Sequence, residues 1–382
     1  MQNTPLHSFL CKGAADARYE DFADNFKKLD DKVVWEAAKA NEVEAAIGHK
    51  LMDALPPHEV PLWWSQAHEK NHQRLSAYLG ELDQLAAHLA KEGIRLVALK
   101  NGGIARGIYP CPGCCPMGDL DVLVERRHFR QAHQILLGAG YNFEFRSPLE
   151  EAELEAAEKG GGAEYWKMLP GGEKLWFELQ WRPVAGRWIR PDQEPTADEL
   201  MARSVPIAGT AVRLLAPEDN LLQVALHTAK HTYVRAPGFR LHTDVDRIVR
   251  RQPIDWQLFT ERVIKLQVKT AVYFSLSIPK ILFGTPIPDE VLRQISPARW
   301  KEQLISRWLE RAGIFNPDER KFSPPAYIAF TSLLYDDHSG LRRAIFPDSD
   351  WMHERYGFSS RLLLPYYHLR RVANLAFKRV LS

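Results

Sequence analysis

Three acids have the types and spacing that could do chemistry. In "GDLDVLVE", Asp119 and Asp121 are one residue apart in the clearest strand pattern of the chain. Side chains alternate across a strand, so the two carboxylates project together while Leu120, Val122 and Val124 face a core. Two carboxylates held close repel each other. A divalent cation between them removes that cost, and magnesium held this way is what phosphoryl chemistry requires. Further on, Glu178 lies mid-strand in "LWFELQW", flanked by Trp176, Phe177, Leu179 and Trp181. Such a glutamate either faces solvent or is a third metal ligand. Two acids from one strand and one from a neighbour give the trio of a two-metal phosphoryl-transfer site. The plain alternative is a pair of solvated aspartates on an exposed edge strand.

Other residues gather around these acids. Gly102 and Gly103 follow the strand "IRLVALK" and open a short helix, a place where backbone N–H groups approach a phosphate, with Lys100 and Asn101 beside them. His227 and His231, at i and i+4 with Lys230 between, share a helix face. They read better as the lining of a cleft, with Lys230 offering charge to a phosphate or acceptor, than as metal ligands. Asp244 and Asp246 stay divided between a functional role and helix-capping or salt-bridge roles. "CPGCC" (Cys111, Cys114, Cys115) has the Cys-x-x-Cys spacing of half a zinc knuckle. The other half is missing: Cys11 is remote, and His128 and His133 lie beyond the intervening strand. The segment therefore reads as a loose loop, and a reversible Cys111–Cys114 disulfide stays open.

These residues need a scaffold, and the chain is long enough to supply one. It has 382 residues, 45% of them hydrophobic, and a formal charge of +2. That charge leaves no overall electrostatic footprint for nucleic acid. Four cysteines, three of them clustered, do not make a disulfide framework and fit a reducing cytoplasm. The start "MQNTPLHSFLCKGAADARYEDF" lacks the pattern of a secretory signal, and no apolar run approaches a membrane span. A cytoplasmic protein is expected.

Residues 20–92 read as helices, with a C′ glycine at Gly93 closing the last. "IRLVALK", "DLDVLVE", "YNFEFR" and "LWFELQWRP" read as strands, and "SVPIAGTAVRLLA" as a hairpin around Gly209. "EEAELEAAEKGGGAEYWKMLPGGEK" reads as a surface helix and mobile loop. Beyond Pro217 the pattern is helical, and the basic, amphipathic "YYHLRRVANLAFKRVLS" reads as a packed bundle helix with a solvated face, in preference to one lying on a membrane or a partner. The expected fold class is α+β: a small mixed or antiparallel sheet over residues 93–216, an N-terminal helical region 1–92 and a C-terminal helical domain 217–382.

Taken together, "ALKNGGIARGIYPCPGCCPMGDLDVLV", "FELQW", "APEDNLLQVALHTAKH", "LHTDVDRIV" and "IFPDSDWMHERYG" resemble the bacterial uncharacterised nucleotidyltransferase family. Its members share the DNA polymerase beta-like nucleotidyltransferase superfold and occur in polysaccharide and lasso-peptide gene neighbourhoods. The resemblance implies a transferase that uses magnesium or manganese and a nucleoside triphosphate such as ATP. It implies metal and catalytic roles for Asp119, Asp121 and Glu178. It puts Lys100, Asn101, Gly102, Gly103, Cys115 and Gly118 at the nucleotide, and Gln180, His227, Lys230, His231 and Asp244 at a small-molecule or peptide acceptor. Three positions depart from the family pattern. Cys115 stands for an arginine, Asn101 for a glycine and Gln180 for a histidine, and the first removes a fixed charge suited to a phosphate. Two rivals therefore accompany nucleotidyl transfer: a binding-only pseudoenzyme, and a kinase-like phosphotransferase on the same fold.

Overall fold

Helical periodicity sets the N-terminal segment. α1 (Pro5–Ala14), α2 (Phe22–Lys27), α3 (Asp31–Ala40) and α4 (Glu44–Ala54) lead to the long α5 (Leu62–Lys91). α5 buries Leu75, Tyr78, Leu79, Leu82, Leu85, Ala86 and Leu89, a single stripe at helical spacing. It closes in a Schellman turn. Gly93, at φ 72°, donates to the Ala90 carbonyl at 3.0 Å, and Ile94 donates to that of Leu89 at 3.0 Å.

In the computed structural model, which describes residues 4–109, 111–146, 153–184, 189–318, 321–358 and 360–381, one mixed sheet follows. Its strands are β1 (Leu96–Leu99), β2 (Asp119–Leu123), β3 (Asn142–Phe143), β4 (Gly162–Met168), β5 (Lys174–Gln180), β6 (Val205–Pro206) and β7 (Val212–Leu214). The order is β3-β4-β5-β2-β1-β7-β6. β2 is central, antiparallel to β1 and parallel to β5, so the edge-strand reading of its aspartates falls. Interleaved helices are α6 (Lys100–Gly107), α7 (Phe129–Gly138), α8 (Leu154–Gly160) and α9 (Ala197–Arg203), and α10 (Pro217–Lys230) and α11 (Phe239–Arg251) follow the sheet. The fold class is α+β, as expected.

One segment overturns its expectation. Residues read as a mobile loop form β4, which pairs with β5 along its whole length. Ala163 and Tyr165 alternate into the core, a period-2 signal hidden by the glycine run 160–162 in which the strand begins. The two faces of β2 differ. Leu120, Val122 and Val124 join the main core, which runs continuously from the N-terminal helices through the sheet to the C-terminal helices. Leu123, on the face of the two aspartates, joins a smaller cluster with Val97, Leu99, Leu200, Met201 and Leu215, roofed by α9.

Helices continue to Leu364–Leu381. This last helix was expected to pack its apolar face, yet Tyr366 is 58% and Leu369 72% exposed. No helix among the described residues is long and apolar enough to cross a membrane.

Candidate active site

Strand register brings the three acids to one face. Asp121 on β2 lies directly opposite Glu178 on β5, and Asp119 opposite Trp176. Asp121 is buried, with its side chain 2% exposed, while Asp119 (22%) and Glu178 (27%) open outward. Gln180, two residues beyond Glu178, donates through Nε2 to Asp121 Oδ1 at 3.0 Å. The sequence expectation that the two strands converge is therefore met in geometry.

Cationic side chains sit among the acids. Lys100 Nζ donates to Asp121 Oδ1 at 2.5 Å and stands 3.7 Å from Glu178 Oε2. Arg146 donates through Nη2 to Asp119 Oδ2 at 2.5 Å. Burial pushes the Asp121 carboxyl well above its ordinary range, with Asp119 and Glu178 adding to the effect and Lys100 opposing it. Glu178 goes the other way. Burial would raise it, but Lys100, a hydrogen bond with Asp121, Lys230 and Arg146 together bring it down to about 2. Burial thus favours the neutral form at Asp121, while the neighbouring cations favour the charged form at Glu178. Burial works against the charge on Lys100, yet Asp121, Glu178 and Asp119 hold its pKa up.

The backbone at Lys100 turns strand into helix without a spacer. Lys100 sits at φ 47°, the left-handed region that a lysine rarely adopts, and this turns its side chain back over the sheet. No side chain caps α6. In a helix starting at Lys100 only the amides through Gly102 lack an intrahelical acceptor, so Gly103 has a different reason to be glycine. A Cβ there would lie 2.6 Å from the Ala98 carbonyl oxygen, which makes Gly103 the point of closest packing of α6 on β1. Asn101 is buried in the same turn, and Gly118 is exposed just ahead of Asp119.

α10 approaches from the C-terminal segment. Pro217 opens it, and its first-turn acids are pinned: Glu218 to Arg203 at 2.9 Å, and Asp219 to Arg203 and Arg262, each at 2.7 Å. The pinned start sends its last turn toward the acids. Burial and nearby Lys100 lower the pKa of Lys230, which Glu178 and Asp121 raise in turn. His227 is driven well below its ordinary pKa by burial and Lys100, and His231 to about 4 by burial and Lys230. Both rings are therefore neutral near pH 7. His231 Nδ1 donates to the Ala236 carbonyl at 2.8 Å, which fixes its ring.

Two expected site residues lie elsewhere. Cys115 is fully buried beside Asp244, Arg240 and Arg247, so it does not take the place of a phosphate-gripping arginine. Asp244 is also buried, accepting from the Tyr109 hydroxyl at 3.2 Å, and burial lifts its pKa to about 6. It buttresses the segment behind the site rather than facing the acids. Asp246 is consumed structurally, accepting from the Asp16 amide at 2.8 Å and the Thr285 hydroxyl at 2.6 Å.

Two residues at the site were not legible in the sequence. Glu164 on β4 is the register partner of Glu178, and its carboxylate accepts from the Arg146 amide at 2.6 Å. Arg146, at the end of "YNFEFR", thus touches both Asp119 and Glu164 and lies over the Trp176 ring at 5.3 Å. The only sequence signal for it was an arginine closing a strand. It is a fixed positive charge on the acid face, set between Asp119 and Glu164.

The oxygen-only donor set suits a hard cation such as magnesium or manganese. Asp121 and Glu178 share the Lys100 ammonium, a place that a divalent cation would take, so the residues fit the ion.

A family described as "uncharacterised nucleotidyltransferase" matches residues 27–284, most of the chain. The chain belongs to that family, and membership supports a general role in nucleotidyl transfer. No curated protein and no solved structure matches.

Proposed function

We propose that the protein transfers a nucleoside monophosphate from a nucleoside triphosphate to a small-molecule or peptide acceptor, using magnesium or manganese held by Asp119, Asp121 and Glu178. The observation that carries this reading is Asp121 and Glu178 in direct register with Lys100 across both. The bound cations would neutralise the triphosphate and acidify the acceptor hydroxyl. The chain's own part is positional and electrostatic. First-turn amides of α6 at Lys100, Asn101 and Gly102 face the β- and γ-phosphates, and Lys100, released from Asp121, follows the charge onto them. Arg146, released from Asp119, grips the same group with two parallel N–H donors. The acceptor oxygen bonds to the α-phosphorus as the bond to the β-phosphate oxygen breaks, and pyrophosphate leaves. A carboxylate with a pKa of about 2 is a weak base and a good cation ligand, so Glu178 is assigned to metal rather than to proton transfer. His227 and Lys230, on the turn of α10 nearest the acids, line the acceptor side, with His231 and Gln180 behind them.

Pyrophosphate release from each triphosphate, with magnesium present, tests the reading. Wild type should turn over and the Asp119→Ala/Asp121→Ala double variant should not, while both keep the same circular dichroism. A fully active double variant refutes the assignment. A second reading has one observation in its favour: Lys100 and Arg146 already neutralise the acids internally. On that reading the protein binds a nucleotide without chemistry, and calorimetry would detect triphosphate binding with no pyrophosphate formed. Product mass separates nucleotidyl from phosphoryl transfer.

A further inference from the structure

The missing half of the Cys-x-x-Cys pair lies in the N-terminal helices, far off in sequence. His49 on α4 and His68 on α5 meet Cys111 and Cys114, and one ligand atom from each of the four lies within 4.8 Å of all the others. His68 Nε2 is 3.2 Å from Cys111 Sγ, and the His49 and His68 rings stack at 4.9 Å between centroids. Both cysteines are free thiols. A tetrahedral zinc ion with Zn–S near 2.3 Å and Zn–N near 2.0–2.1 Å separates neighbouring ligand atoms by about 3.3–3.8 Å. The four side chains are thus within small rotamer adjustments of that geometry. We propose that His49, His68, Cys111 and Cys114 form a structural zinc site that ties the segment before β2 to the N-terminal helices.

The backbone around the cluster is built for this approach. A Cβ on Gly48 would lie 2.4 Å from the Trp64 carbonyl oxygen, so glycine there lets α4 and α5 come close enough to stack the two imidazoles. A Cβ on Gly113 would lie 2.8 Å from His68 Nε2, so the turn between the two cysteines sits directly on α5. Asn71, one turn beyond His68, donates through Nδ2 to the carbonyls of Gly113 at 2.8 Å and Cys115 at 2.9 Å. The segment is clamped, not the loose loop expected from sequence. The Asp53 carboxylate lies 3.8 Å from His49 Nε2, a common outer partner for a metal-bound imidazole.

The chemistry favours zinc over an empty cluster. Two thiolates and two neutral imidazoles around a divalent ion are charge-neutral and complete a closed four-coordinate shell, the signature of a structural rather than a catalytic site. Soft sulfur ligands also separate this site from the all-oxygen acid trio, which prefers magnesium. From Cys114 the chain runs through Met117, 1% exposed, and Gly118 into Asp119, so the metal would fix the start of β2.

Full-length protein purified without chelator from zinc-supplemented cells should carry about one zinc per chain. Replacing zinc with cobalt(II) should give tetrahedral ligand-field bands and a thiolate-to-cobalt charge-transfer band. Both should vanish in Cys111→Ser/Cys114→Ser. The Asp119→Ala/Asp121→Ala variant should keep the zinc and the bands. Wild-type protein that holds no zinc and gives no charge-transfer band on cobalt titration overturns the proposal, whether or not the cysteine variant folds. Loss of zinc from the aspartate variant alone overturns it too, by moving the metal to the carboxylates.

Discussion

Replacing Lys100 with methionine keeps most of the side-chain volume and removes the ammonium that pairs with Asp121 and lies near Glu178. That ammonium is 2.5 Å from Asp121 Oδ1 and 3.7 Å from Glu178 Oε2, and the Lys100 and Asp121 side chains are 12% and 2% exposed. Breaking a buried ion pair by deleting one partner costs about 3–5 kcal/mol, because the remaining charge is stranded. Asp121 softens the loss, since burial already pushes its carboxyl toward the neutral form. The lower end, about 3 kcal/mol, therefore applies. An unfolding entropy near 2.1 cal/mol/K per residue gives a chain of 382 residues about 0.8 kcal/mol/K, so Lys100→Met should melt about 4 °C lower in magnesium-free buffer. Magnesium should then help the variant more than wild type, because no lysine contests the site. A cation at a hundred times its Kd returns about 2.7 kcal/mol, most of what was lost. Differential scanning fluorimetry with and without magnesium reads both effects. Equal melting of variant and wild type without metal, together with an equal gain with it, would refute the idea that these acids need a cation between them.

Arg146→Met removes a charge-assisted donor worth about 1.5–3 kcal/mol. Because the Arg146 side chain is 40% exposed, the low end applies, about a tenfold rise in KM for the triphosphate with kcat less affected; steady-state kinetics that leave KM unchanged exclude a phosphate role. Asp244 has a folded-state pKa of about 6, raised above its ordinary 3.8, so its contribution to stability falls as pH climbs from about 4 to 6 and stays lost above that. Asp244→Asn should remove this dependence and gain up to about 3 kcal/mol at pH 7.5 relative to pH 4, with turnover retained, as urea unfolding across pH would record. Gly103→Ala should cost about 1–3 kcal/mol by overpacking against the Ala98 carbonyl, and a variant as stable as wild type would show that α6 can shift off β1.

Much of the acid face was legible because strand periodicity is local. Alternation in "DLDVLVE" fixed which side chains share a face, and an isolated glutamate between aromatics in "LWFELQW" marked its partner. The α5 terminus at Gly93 and the Gly209 hairpin, β6 with β7, were readable from turn chemistry for the same reason. What local pattern could not supply was tertiary pairing. β4 looked like a loop because glycines precede it, and its role depends on Glu164 meeting Glu178 across a ladder. Arg146 acquires meaning only when the end of β3 folds over Asp119. Cys115 was expected at the nucleotide, yet it is fully buried beside Asp244. The proposed zinc ligands escaped for a similar reason: His49 and His68 sit on two different helices, each less than about two turns from its helix start, where each reads as an ordinary surface histidine.

Manganese binding followed by electron paramagnetic resonance, in the presence of a non-hydrolysable nucleoside triphosphate, examines the acid trio itself. Two manganese ions per chain, coupled over about 3.5–4 Å and lost in Asp119→Ala/Asp121→Ala, are expected of a two-metal centre. Manganese that fails to bind, or binds equally well without the two aspartates, would contradict it.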